Sequence, residues 1–336
     1  MDSLTQIVLG AAVGEVVLGK KIGNKAMLWG ALAGTIPDLD ILASPFLDIV
    51  DEMRWHRSLT HSFLFAFLVS PALAYLNQKF FAGPNTRWRE WTHLYLWGFI
   101  THALLDSFTT WGTQLFYPFS NYGVSFKSIF VVDPLYTLPF LACLIVVACL
   151  KRDHSKRPFW AWFGIGLSSF YLLLTVVNKF YINGVFEAEM ARQGLTYSRY
   201  ETKPTPLNNL LWNFTAESDS VYYSGYYSLL DSEPKIKFHA FKKQHDLLKP
   251  FWQEHKLQQL LEVTEGYYTV EKHPTGFVIN DLRFGQTTGW EDGKGDFVFA
   301  YLMSTQQTPS AFTQRENDFK TGREMLGQFA ERIFGK

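Results

Sequence analysis

Long apolar runs recur through the first 190 residues of this chain and then stop, and no other feature of the sequence narrows its fold as much. A membrane-spanning helix needs about 20 mostly apolar residues. Six stretches approach that requirement, at 4–19, 26–36, 62–81, 92–111, 133–150 and 158–178. The third, fifth and sixth are cleanly apolar, whereas the first, second and fourth contain polar or ionisable groups that in lipid must face a bundle interior. Hydrophobic residues make up only 47% of the 336 residues, too few for a wholly embedded protein. The composition therefore predicts a membrane all-α bundle of about six helices in residues 1–190, followed by a small α+β soluble domain in 195–336.

The charges suggest an orientation. Lys20, Lys21 and Lys25 lie between the first two segments, Arg87 and Arg89 between the third and fourth, and Lys151, Arg152, Lys156 and Arg157 between the fifth and sixth. With six spans these three loops share one side, which the positive-inside rule makes cytoplasmic. Loop 37–61, loop 112–132 and everything after residue 178 are then expected outside. Met1-Asp2-Ser3-Leu4 lacks the basic leader of a cleaved signal. Glu15 near the inner edge is expected to pair with Lys20 or Lys21, and His93 reads as an inner interface residue.

Beyond residue 195 the pattern becomes strand-like at Thr196–Glu201, Val221–Leu229, Gly266–Glu271, Gly276–Leu282 and Phe297–Ser304. Lys203-Pro204-Thr205-Pro206 punctuates the chain. His245–Glu262 reads as one amphipathic helix and 314–334 as a final one. No internal repeat is evident. The formal net charge of zero gives no field for nucleic acid. The two cysteines, Cys143 and Cys149, stand six residues apart in one apolar run and build neither a disulfide framework nor a cysteine zinc site.

Three clusters can carry chemistry. Pro37-Asp38-Leu39-Asp40 ends the second segment with two carboxylates, which suit a cation or, equally, a solvated turn. His56-Arg57-Ser58-Leu59-Thr60-His61-Ser62 precedes the third segment and reads either as metal ligands beside an anion-binding arginine or as an interfacial stretch anchored by Trp55. His102 and Asp106 stand one turn apart inside an apolar span, where a lone carboxylate is costly and a metal or proton-relay role removes the difficulty. A His–Asp hydrogen bond that only packs the bundle is the plainer reading. At a rise of ~1.5 Å per residue, Gln6, Asp38 and Asp106 all fall ~20 Å from the inner edge and His102 ~15 Å, with His61 entering from the outer side. One polar layer beneath the outer surface is thus expected. Ser120 and Asn121 can line a pocket there. Asp133 before Pro134 reads as a helix N-cap.

These residues resemble a known family: the inner-membrane metal-dependent hydrolases of the YdjM/YfhP type, also described as LexA-binding inner-membrane-associated hydrolases. The resemblance rests on Met1-Asp2-Ser3-Leu4-Thr5, Ile36-Pro37-Asp38-Leu39-Asp40, His56-Arg57-Ser58-Leu59-Thr60-His61-Ser62, His102-Ala103-Leu104-Leu105-Asp106 and Pro118-Phe119-Ser120, and covers about the first 180 residues. It implies a bacterial inner-membrane protein with metal-dependent hydrolase activity. Many relatives carry Thr-His where this chain has Thr5-Gln6, a weaker ligand, and nothing carries over to residues after 195.

The residues together lead to an expected metal-assisted hydrolysis near the outer membrane face. Asp38, Asp40, His56, His61, His102 and Asp106 are the expected ligands of one or two divalent ions, zinc first, with manganese or magnesium as alternatives. Asp40 or Asp106 is the expected general base, and Arg57 the group that holds an anionic leaving group. The expected partners are the lipid bilayer and a small-molecule or lipid-linked substrate, a phosphoester among them. A metal-handling or transport protein, or a non-enzymatic membrane regulator or scaffold, are the competing readings.

Overall fold

The computed structural model describes every residue except 82–85, 292, 294, 316–322 and 336. The chain divides into two compact units. One comprises Met1–Ala43, Trp55–Val177 and Pro206–Asn208, the other Ser44–Arg54, Asn178–Thr205 and Asn209–Lys336.

The first unit is helical. Helix α1 (Ser3–Ile22) is capped by the Asp2 carboxylate, and α2 (Asn24–Thr35) continues as a 3-10 helix over Ile36–Phe46. The second apolar segment is therefore longer than its expected 26–36. A short α3 (Ile49–Trp55), which up to Arg54 belongs to the second unit, and a 3-10 turn (Leu59–His61) lead to α4 (Phe63–Phe80), with Ser62 as its N-cap. Helices α5 (Trp88–Asp106), α6 (Pro134–Cys149) and α7 (Arg157–Arg192) follow. Asp133 caps α6 as expected, accepting the N–H groups of Leu135 and Tyr136.

Each of the six apolar segments coincides with a helix, but six membrane spans are not confirmed. Among the described residues three helical stretches are long and apolar enough to cross a membrane: Ser3–Ile22, Asn24–Phe46 and Arg157–Arg192. A fourth is added if Ile49–His61 and Phe63–Phe80, bent by 58°, count as one. Helix α6 has 16 residues, and α5 carries Arg89, Glu90, His93, His102 and Asp106.

Helices α1 and α2 meet through glycine. Gly10 and Gly14 face Gly30 and Gly34, so that a Cβ on Gly30 would run into the Gly10 carbonyl oxygen, and one on Gly34 into that of Gln6. Small residues four apart let two backbones approach, as in membrane helix pairs. The four-residue spacing is visible in the sequence as Gly10/Gly14 and Gly30/Gly34.

A buried fork fixes one end of the bundle. Arg157 donates to both Glu15 oxygens at 2.7 Å, to Asn24 Oδ1 and to the Leu150 carbonyl oxygen. This corrects the expected Glu15 partner. Arg157 reaches inward from the start of α7, and its planar guanidinium satisfies a buried carboxylate bidentately in a way a lysine ammonium does not. At the same end Lys21 pairs with Glu90 at 2.8 Å and Asn24 donates to the Ala148 carbonyl oxygen, so the three basic loops are gathered together.

The second unit holds two four-stranded antiparallel meanders. The first is β1 (Arg199–Pro204), β2 (Leu211–Glu217), β3 (Val221–Ser228) and β4 (His239–Lys242), in that spatial order. A 3-10 turn (His245–Phe251) and α8 (His255–Val263) lead to the second. It is β5 (Tyr268–His273), β6 (Gly276–Gln286), β7 (Phe297–Ser304) and β8 (Ala311–Gln314), again in order, before α9 (Arg323–Ile333). The expected single helix over 245–262 is broken at 252–254. Pro250 closes the first turn, and α8 restarts at His255. The early part of the expected 314–334 helix lies outside the described residues.

Three substitutions check this packing by thermal unfolding in detergent. Gly30→Ala is expected to destabilise by about 1–3 kcal/mol through overpacking, whereas Gly166→Ala, with nothing within 4 Å of an added Cβ, leaves the midpoint unchanged. Arg157→Ala strands Glu15 and should cost about 3–5 kcal/mol.

Candidate metal centre

Four elements of the first unit place five polar side chains at the end of the bundle opposite the Glu15–Arg157 pair. Asp38 comes from the 3-10 helix after α2, His61 from the turn before α4, His102 and Asp106 from the last two turns of α5, and Gln6 from the first turns of α1. His102 and Asp106 share a face because they stand four apart on an α-helix. Asp38 and Asp40 diverge, since two residues on a 3-10 helix turn through about 240°.

Asp38, His61, His102 and Asp106 each offer one ligand atom, all within 4.8 Å of one another. The two Nε2 atoms of His61 and His102 lie 3.1 Å apart. Asp38 Oδ1 is 3.3 Å from the first and 3.4 Å from the second, and Asp106 Oδ2 is 3.5 and 3.9 Å from them. A tetrahedral ion with bonds of ~2.0–2.1 Å has ligand–ligand edges of ~3.3–3.4 Å. These distances bracket that value.

The far sides of both imidazoles are held so that Nε2 is the free nitrogen. His102 Nδ1 donates to the Gly34 carbonyl oxygen at 2.7 Å. His61 Nδ1 faces Thr60 Oγ1 at 3.0 Å, and that hydroxyl in turn donates to Asp40 Oδ2 at 3.2 Å. Two lone pairs therefore converge in the middle, an arrangement that a shared cation relieves. Asp106 Oδ2 is fully buried and has no hydrogen-bond partner, and Gln6 Oε1 beside it has none either. Orphaned buried acceptors of this kind fit a cation, because such groups are otherwise costly.

Asp40 and His56 stand beside this group rather than in it. Asp40 Oδ1 is 2.9 Å from His56 Nδ1, and its Oδ2 accepts the Arg57 N–H at 3.1 Å. Arg57, expected to hold a leaving group, is buried and turned inward. Its Nη1 donates to Thr109 Oγ1 at 2.7 Å, and its Nε lies 3.2 Å from Asp106 Oδ2 without the alignment of a hydrogen bond. Its backbone is left-handed at φ 63°, which a non-glycine residue adopts only when its surroundings enforce it. Asp106 Oδ1 is satisfied by the Met1 α-amino group and by Gln6 Nε2 at 2.8 Å. Of the four converging side chains only Asp38 is partly exposed, at 24%. Ser120 and Asn121 are not among the contacts of the cluster; Ser120 Oγ accepts the Tyr122 N–H.

The sequence reading missed Thr60, Thr109 and the Gly34 carbonyl as orienting groups. Only the last left a trace in sequence, as a glycine that lets α2 approach α1.

A family model described as YdjM inner membrane protein matches residues 1–182. YfhP of Bacillus subtilis strain 168 is 31% identical over 159 residues, 44% of this chain and 46% of its own length. The inner membrane protein YbcI of Escherichia coli K12 is 28% identical over 109 residues, 32% of this chain and 61% of its own. The chain thus spans less than two thirds of either relative. No solved structure matches. With more than half of its residues, the whole cluster included, inside the family match, this chain belongs to the YdjM inner membrane protein family.

Proposed function

We propose that this protein holds a divalent cation between Asp38, His61, His102 and Asp106 and uses it for hydrolysis at the outer side of the membrane. The observation that carries this reading is the convergence of two imidazole Nε2 atoms and two carboxylate oxygens at 3.1–3.9 Å, with both imidazoles tethered through Nδ1. Zinc suits two nitrogens and two oxygens in a tetrahedron better than magnesium or manganese, which favour octahedral oxygen sets. Bound there, a divalent ion supplies Lewis-acid polarisation and acidifies water.

The chain's own residues divide the remaining work. Asp38 is the carboxylate in reach of an incoming molecule and the one placed to accept a proton from water, in place of the enclosed Asp106. Arg57 fixes Asp106 and offsets its charge. Asp40 holds His56, Thr60 and the Arg57 backbone. The orientation is supported by the gathering of the three basic loops at the other end of the bundle, which the positive-inside rule places in the cytoplasm. A site beneath the outer headgroups favours a small-molecule or lipid-linked substrate, with phosphoesters as the class to try first.

A second reading, a metal-handling or transport protein, draws on one observation. Four protein ligands fill a tetrahedron, and catalytic zinc sites usually keep one position open.

Metal analysis of the purified protein is expected to find about one zinc per chain, falling to background in His102→Ala and in Asp38→Ala, with fold retained by circular dichroism. The wild type is expected to release product from phosphoesters or lipid extracts in a chelator-sensitive way. Bound zinc without turnover, together with ion flux into vesicles, would move the assignment to the second reading. Absence of metal after growth in zinc-sufficient medium would end both.

A further inference from the structure

The segment Ser44–Arg54 interrupts the residues of the candidate site in sequence, yet it belongs to the C-terminal unit. Asp40 lies four residues before it and His56 two residues after it. Within that unit, α3 is attached to α8 at both ends. Lys256, in the first turn of α8, pairs with Asp48 at 2.7 Å and with Asp51. Arg54, in the last turn of α3, lies 3.7 Å from Glu262, in the last turn of α8. The matching order means that the two helices run alongside one another in the same direction. Val50 and Met53 of α3 are buried.

Asp48 serves twice. Its Oδ1 accepts the N–H groups of Val50 and Asp51 at 3.1 and 3.0 Å, capping α3, while Oδ2 takes Lys256. Removing the lysine therefore leaves the α3 cap in place. The base of the intervening loop is closed by one carboxylate, Asp40, which holds His56 and the Arg57 N–H. The same carboxylate reaches His61 through the Thr60 hydroxyl. A pull on α3 thus arrives at a group that orients one of the converging imidazoles.

We propose that α3 is a strap by which the C-terminal unit sets the position of Asp40, and through it His61, with Lys256 as the positioning residue that anchors the strap. This rests on the metal-centre reading above for its functional meaning. It gives residues 195–336 a role, that of tuning the site through α3.

The test uses the full-length protein in detergent, comparing wild type, Lys256→Glu and the conservative Lys256→Arg. Amide hydrogen exchange over 49–62 and zinc affinity by chelator competition are the two readouts. Lys256→Glu is expected to speed exchange in α3 and at the Arg57 amide, and to weaken zinc binding by about fivefold, the scale of one or two exposed ion pairs. Lys256→Arg should change neither. Raising salt from about 0.05 to about 0.5 M should mimic the loss in the wild type by screening the pairs. Exchange at the Arg57 amide that is identical in Lys256→Glu and wild type overturns the strap. Faster exchange there with unaltered zinc affinity overturns its link to the site. A wild type without zinc ends the metal reading alone, and exchange at Arg57 still decides whether the strap transmits.

Discussion

Two carboxylates and two imidazoles share one corner of an apolar bundle, open only at Asp38, and most of the helical unit can be understood as what is needed to hold them there. Asp106 is wholly buried, and one of its oxygens has no hydrogen-bond partner. Such a group is tolerated only beside compensating charge. Arg57 supplies part of it, at the expense of a left-handed backbone. The converging lone pairs of His61 and His102 supply the reason to expect a cation. The glycine contact between α1 and α2 serves the same end, since it lets the Gly34 carbonyl oxygen reach His102 Nδ1 while Gln6 of α1 reaches Asp106.

The opposite end of the bundle is closed by a different device. Arg157 and Glu15 form a bidentate pair with every partner protein-derived, and no ligand atoms of theirs are left pointing into open space. The Glu15–Arg157 pair is thus self-satisfied and the cluster around Asp106 is not. That contrast separates a structural ion pair from a candidate site more clearly than charge or burial alone, because both ends are buried and both are ionic.

Much of this was legible in the residues. The i,i+4 spacing of His102 and Asp106 and the rise of a helix placed Asp38, His102, Asp106 and Gln6 at one depth without any structure. What spacing could not reveal was direction. Asp38 and Asp40 read as an equivalent pair until the 3-10 geometry turned one toward the histidines and the other toward His56. Arg57 read as a hand extended to a substrate, but its left-handed backbone folds it back onto Asp106. In the C-terminal unit β2 was missed although Trp212, Phe214 and Ala216 alternate with Asn213, Thr215 and Glu217, and its polar face is buried along with its apolar one except at Glu217. β4 and β8 were missed because they are four-residue edge strands. The break at Pro250 had a sequence signal that the amphipathic pattern outweighed.

The account stands or falls on the identity of the atoms around the ion. X-ray absorption at the zinc edge of the purified, metal-loaded protein measures them directly. The expected first shell is two imidazole nitrogens and two carboxylate oxygens at ~2.0–2.2 Å, with the imidazole contribution halved in His61→Ala. A shell of oxygens alone at octahedral count, or one unchanged by loss of His61, would contradict it.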